Sequence, residues 1–296
     1  MSSSTSQLTS LVDNHAASLL AQGRVEEALR AADTALATVR DQVEDDASKL
    51  PALAHTLQTL GDVQRQAGDV VACEASYEEA LEVAVESNAD LALIAQIRTN
   101  LATLLDFSER EAQAAPLYEQ AIADYEAMNP PNEEIAAQLR NNLAMIYKGL
   151  GKFALAEQHY LRSLEALENK HGRESDAVAS VYNNLGSLYY SAGFPDQAKE
   201  MFVEALAARI ALLGKDHPDV AQSYCNLGSA CHELEENAAA LENYEASLRI
   251  LEIHIKDEAA SYEAIGNDYI SLLEAAGEEK KAAAFQKRME KVLASA

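Results

Sequence analysis

Asn141-Asn142-Leu143-Ala144 and Asn183-Asn184-Leu185-Gly186 are two copies of one short motif, and the second copy begins about 42 residues after the first. A third copy, Asn226-Leu227-Gly228, follows at the same spacing. Self-similarity at a period of about 20 to 50 residues indicates a repeat architecture, in which each unit packs on its neighbours along the chain. The period therefore predicts the class of fold before any secondary structure is assigned.

The small residue that ends each motif has counterparts along the rest of the chain. They are Ala16, Gly61 and Ala102 upstream, and one further period downstream reaches Ile270. Seven residues after most of these positions stands a glycine, which suits the end of a helix. Nine residues beyond that point, the five central units have an aromatic residue: Tyr77, Tyr118, Tyr160, Phe202 and Tyr244. We therefore expect two helices per unit, with the small residue allowing close approach and the aromatic filling the space against the next unit.

The composition agrees with a helical protein. Of 296 residues, 48% are hydrophobic and 24% are charged, which is enough apolar material for a core, and proline and glycine are few. We expect an all-α fold, a right-handed solenoid of about seven helix pairs, in which residues 1–296 form a single domain. The expected repeats cover approximately residues 9–47, 48–88, 89–130, 131–172, 173–214, 215–256 and 257–296.

These positions resemble the tetratricopeptide repeat, lengthened from its minimum of about 34 residues. The Asn-Asn-Leu motifs and the string Leu213-Gly214-Lys215-Asp216-His217-Pro218-Asp219-Val220-Ala221 are similar to the kinesin light chain type of this repeat, most of all to a bacterial kinesin light chain. The resemblance covers nearly the whole chain. It implies a non-catalytic scaffold that binds a protein partner, and it makes a bacterial tubulin filament a concrete candidate. The alternative is a generic adaptor or regulator that binds a short extended signalling peptide.

Asparagine stands two residues before the small residue in four consecutive units, and we call this set the asparagine ladder: Asn100, Asn142, Asn184 and Asn226. First helices of such solenoids line an extended binding surface, and an amide that both donates and accepts can hold a peptide backbone. The resemblance implies the same role for first-helix asparagines. The neighbouring groove candidates are Asn141, Asn183, Arg140 and Lys148. An equally weighted alternative is that each asparagine satisfies polar groups between repeats.

The sequence shows no motif of a catalytic, metal or cofactor site. The seven histidines lack metal-ligand spacing, and neither a phosphate-binding loop nor a nucleophile elbow is present. Three sparse cysteines, Cys73, Cys225 and Cys231, indicate a reducing compartment. We find no secretion signal and no long apolar stretch, so we expect a cytoplasmic protein that is not an enzyme and has no cofactor.

The charge distribution limits the possible partners. A net charge of −25 argues against sequence-independent binding of nucleic acid. Residues 62–134 contain 16 acids and 3 bases, a net of −13, whereas residues 148–173, the basic island, contain 5 bases and 3 acids, a net of +2. The C-terminal segment around Lys280 and Arg288 is also basic. Such runs are usually solvated faces, and the sequence does not indicate direct membrane binding.

Overall fold

The computed structural model describes residues 15, 16 and 18–295 of the chain. Its regular structure over those residues is helical, and none of them lies in a strand, so the all-α prediction is confirmed. Helical residues between 15 and 21 are followed by thirteen longer helices. These are α1 (Val25–Asp45), α2 (Leu50–Ala67), α3 (Val70–Glu86), α4 (Leu91–Phe107), α5 (Glu111–Ala127), α6 (Glu133–Gly149), α7 (Phe153–His171), α8 (Asp176–Ser191), α9 (Pro195–Leu213), α10 (Pro218–Glu233), α11 (Asn237–Ile253), α12 (Ile255–Ala275) and α13 (Glu279–Leu293).

Helices pack against their neighbours in sequence, as in the pairs α2–α3, α4–α5, α8–α9 and α10–α11. The chain forms two compact units, the first ending at Ile146 and the second beginning at Tyr147. The packing of each sequential pair is what the repeat pattern predicts for helical hairpins. The single domain and the repeat intervals remain predictions.

Side chains and left-handed residues set the helix ends. Asp69 caps α3 by accepting a hydrogen bond from the Ala72 amide at 3.0 Å, which satisfies one of the free donors of the first turn. Gly68 ends α2 with a φ of 79°, a conformation that glycine adopts without strain. Glu109 and Glu235 occupy the equivalent positions of their repeats and have φ values of 58° and 60°. The turn therefore keeps its shape in these repeats even where its glycine is not present.

The small residue of the first helix lies directly beneath the aromatic of its own repeat. A Cβ atom placed on Gly61 would stand 2.5 Å from the Tyr77 ring, and one on Gly186 would stand 2.6 Å from the Phe202 ring. Both distances are shorter than a van der Waals contact, so neither position has room for a methyl group. The paired helices therefore pack as closely as a glycine permits. The sequence predicted this close approach, and it also predicted that the aromatic fills space against the next unit; Phe202 belongs to the same core cluster as Val220 and Ala221 of the following repeat.

The last repeat departs from the predicted register. Its small residue is Gly266, which stands four positions before the Ile270 that the constant period predicts. A Cβ atom on Gly266 would contact Met289 and the Phe285 ring of α13. The backbone at Glu258 is non-helical and kinks α12, and the helical run that follows continues further beyond its small residue than the other first helices do. About one additional helical turn follows Gly266. Because a full turn leaves the same face of α12 toward α13, the positions after this turn still match the repeat pattern.

Candidate partner-binding surface

In the first unit the asparagine ladder begins with Asn100 on α4. Its Nδ2 donates a hydrogen bond to Oδ1 of Asp62 on α2 at 3.1 Å, and the same oxygen accepts one from the Tyr77 hydroxyl at 2.5 Å. Burial raises the pKa of the Asp62 carboxyl and, more strongly, the pKa of the Tyr77 hydroxyl. Asn100 therefore joins the first helices of two successive repeats through a half-buried carboxylate.

The next ladder residue, Asn142, is half-buried on α6 beside Asn141. Nδ2 of Asn141 lies 3.5 Å from Oδ1 of Asn142. Burial raises the pKa of the Tyr118 hydroxyl, and the Asn142 side chain is near enough to this hydroxyl to lower that pKa by a smaller amount. That hydroxyl lies 3.0 Å from Oγ1 of Thr103 as well. Asn142 thus takes part in a polar cluster with the aromatic of the preceding repeat.

In the second unit the corresponding contact joins α10 to α8. Nδ2 of Asn226 donates to Oδ1 of Asn183 at 2.7 Å, while Oδ1 of Asn226 accepts from Nε2 of Gln222 at 2.9 Å. Asn184 is half-buried on α8 and also has a partner within the chain. Asn183 is therefore the member of the α8 motif whose side chain reaches Asn226 in the next repeat.

The two cations predicted beside the ladder are engaged within the chain. Arg140 is only 8% exposed, and its guanidinium forms an ion pair with Glu126 on α5. The Lys148 ammonium donates to Oγ of Ser187 on α8 at 2.6 Å, and partial burial lowers the pKa of this lysine. Arg140 consequently offers a partner very little surface, whereas Lys148 offers part of its side chain.

Sequence reasoning missed Asp62, which binds the ladder residue Asn100, and Ser187, which binds Lys148. Asp62 and Ser187 each come directly after the small residue of their repeat, and Thr103 and Ser229 occupy the same position in two others. A polar residue recurs directly after the small residue, and this recurrence is the sequence feature that could have indicated these contacts. The first helices therefore present two polar rows, one two residues before the small residue and one immediately after it, and the bond between Asn100 and Asp62 joins these rows between repeats.

No group of three His, Cys, Asp or Glu side chains within the described residues could hold a metal ion. Burial raises the pKa of the Cys73 and Cys225 thiols to about 11, which keeps them protonated at neutral pH. No helix in the same part of the chain has the length and apolar character to cross a membrane. The polar rows of the first helices present amide and hydroxyl groups.

Residues 52–127, 135–211 and 178–253 match the family model of the tetratricopeptide repeat. The chain belongs to the tetratricopeptide repeat family, and within it to the kinesin light chain type. It is 35% identical to BtubC (BKLC) from P. vanneervenii, with a TM-score of 0.63, over 76% of this chain and 90% of that one.

Two further solved structures share the fold. A kinesin light chain protein with nearly identical TPR-like repeats from Podosopora anserina is 17% identical, with a TM-score of 0.60 over 70% of this chain and 98% of that one. The apo form of RapI is 12% identical, with a TM-score of 0.73 over 98% of this chain and 77% of that one. No curated protein matches the chain.

Proposed function

We propose that the protein is a non-catalytic scaffold that binds a protein partner through the polar surface of its first helices, and that the partner is a bacterial tubulin filament in the cytoplasm. The observation that carries this proposal is the 35% identity to BtubC over 76% of the chain. The protonated thiols and the engaged cations of the surface support a binding role over a catalytic one.

The ladder asparagines already have partners, so a peptide must exchange hydrogen bonds with them and gains little net free energy from each. Exposed side chains one turn away can make the first contacts. On the first helices these include Gln96, Gln138, Gln222, Tyr190 and His232. The ladder then sets the spacing and rigidity of the surface, and these outer residues supply contacts with the partner.

The charge of the protein limits which part of its surface can contact a tubulin filament. Tubulin polymers are acidic, and a chain with a net charge of −25 is repelled unless a basic part faces them. The basic island includes Lys152 and Arg162, and both side chains are exposed. We therefore propose that the basic island supplies a second contact with the filament beside that of the first helices, and this contact should weaken as salt screens the charges.

Co-sedimentation with polymerised bacterial tubulin tests the proposal. The wild-type protein is expected in the pellet at low salt and in the supernatant at high salt. The double variant Lys152→Glu, Arg162→Glu should pellet less, whereas Lys215→Glu, Lys256→Glu, which changes the same charge at exposed positions outside the island, should behave as the wild type. Wild-type protein that stays in the supernatant at low salt, with filaments in the pellet, removes tubulin as the partner.

A scaffold for short signalling peptides is the second candidate. The exposed glutamines of the first helices favour it, because a glutamine amide can pair with a peptide backbone of any sequence. Binding to arrayed unstructured peptides, without binding to filaments, would support this candidate. Replacing Gln96, Gln138 and Gln222 with alanine should then reduce the peptide affinity.

A further inference from the structure

A groove of about 690 Å³ lies in the first unit between the second helices α3 and α5, with α4 at its base. Leucines and a valine supply its apolar surface: Leu81, Val85, Leu101, Leu105 and Leu117. Leu101 and Leu105 are almost fully buried, whereas Val85 is 46% exposed. No residue of the asparagine ladder or of the basic island lines the groove, so this surface is separate from both surfaces proposed for the filament.

One wall of the groove is acidic. Glutamates stand at every fourth position of α3, at Glu74, Glu78, Glu82 and Glu86, and all four line the groove. A spacing of four residues places them in one row along the helix, over about 18 Å. A helix that packs antiparallel or parallel in the groove can present cations at the same spacing.

The cations in the groove do not neutralise this row. Arg110 pairs with Glu74 at 2.7 Å, and Arg98 pairs with Asp124 of α5. Glu82 and Glu86 are exposed and form no hydrogen bond or ion pair with any described residue, and the exposed Glu78 interacts with Arg110 at longer range. Three carboxylates are therefore available to an incoming partner beside an apolar floor.

We infer that this groove binds a basic amphipathic helix of a partner protein, with leucine-sized side chains against Leu101 and Leu105 and lysines or arginines opposite Glu78, Glu82 and Glu86. Apolar anchors in a groove are the usual mode of helix recognition. The charged row fixes the orientation and the choice of partner, because an acidic helix would be repelled. The surrounding residues 62–134, with a net charge of −13, attract the same class of segment over a longer range.

The test is fluorescence anisotropy with the full-length protein and a labelled synthetic peptide of about 18 residues that has leucines on one face and lysines at four-residue spacing beside it. We expect saturable binding that weakens with salt. The triple variant Glu78→Gln, Glu82→Gln, Glu86→Gln should bind about tenfold more weakly, because exposed charge pairs contribute modestly one by one. The control Glu242→Gln, Glu263→Gln, Glu274→Gln removes the same charge from exposed positions of the second unit and should bind as the wild type.

Two further measurements distinguish binding in the groove from nonspecific electrostatic attraction. The exposed Val85 can be changed to serine without disturbing the core, and Val85→Ser should weaken peptide binding about threefold with an unchanged melting temperature. A peptide with its leucines changed to serine should lose most of its affinity. Equal binding by the two triple variants, or equal binding of the serine peptide, overturns the inference. Filament co-sedimentation of the triple variant should equal that of the wild type, so the two proposals fail independently.

Discussion

The close contact between Gly186 and Phe202 gives a sharp test of the packing. In Gly186→Ala, the new Cβ would stand 2.6 Å from the ring, whereas ordinary contact begins near 3.4 Å. The Phe202 ring is only 3% exposed, so it must move by about 1 Å inside a filled core. Overpacking of this kind costs about 1–3 kcal/mol, and the better helix propensity of alanine returns about 1 kcal/mol. We expect a net loss of about 1–2 kcal/mol.

Urea denaturation followed by far-ultraviolet circular dichroism measures this loss. Gly149→Ala is the matched control, because Gly149 is exposed in the same unit and a Cβ there meets nothing within 4 Å. That control should be as stable as the wild type or more stable by up to about 1 kcal/mol. The double variant Gly186→Ala, Phe202→Leu should cost less than the sum of its single changes, since the smaller side chain makes room for the methyl group. Additive losses, or a Gly186→Ala protein as stable as the wild type, would refute the close contact.

Four further substitutions test other parts of the structure. Tyr160→Ala should lower the free energy of unfolding by about 3–5 kcal/mol, because this ring is 1% exposed, and a loss below about 1 kcal/mol in urea would contradict its burial. Glu235→Gly should raise stability by about 0.5–1 kcal/mol at a φ of 60°, while Gly193→Ala, at 80°, should lower it; the opposite signs would show that the turn is not strained. Asp62→Asn should remove one contribution to the pH dependence of the free energy of unfolding. The folded state holds the Asp62 proton more tightly than the unfolded state does, because burial raises the Asp62 pKa. Wild-type stability therefore falls as the pH rises from the ordinary carboxyl pKa through the raised one. Wild-type and Asp62→Asn stability curves that run parallel across the acidic range up to neutral pH would contradict the raised pKa.

The sequence predicted the helix pairs because their determinants are local. The small residue of a first helix and the aromatic of the following helix are close in the chain, and a turn of fixed length brings them together, as with Gly61 and Tyr77. The small residue of the last repeat was placed wrongly, at Ile270, since counting by a constant period does not detect one additional helical turn. That turn leaves the buried face of α12 unchanged, so only the contact of Gly266 with α13 reveals it.

The candidate site was less predictable, for a different reason. The position of each ladder asparagine on a first helix followed from the repeat, but its partner lies in another repeat, 38 residues away for Asn100 and 43 for Asn226. Which polar groups meet there depends on how successive first helices are aligned. The burial of Arg140 against Glu126 was missed for the same reason. From the sequence, the glutamates of α3 contributed only to the net charge of their segment. The groove beside them could not be predicted, because its apolar floor is built largely by other helices.

The buried aromatics of the repeats have a practical consequence for spectroscopy. Tyr77, Tyr118, Tyr160 and Tyr244 report on four different helix pairs, and the chain contains no tryptophan to mask them. Site-specific incorporation of fluorotyrosine at one of these positions at a time would thus give a nuclear magnetic resonance signal for each of these hairpins, and position 202 would provide a fifth. With such labels, fraying from either terminus can be followed hairpin by hairpin while a partner is titrated.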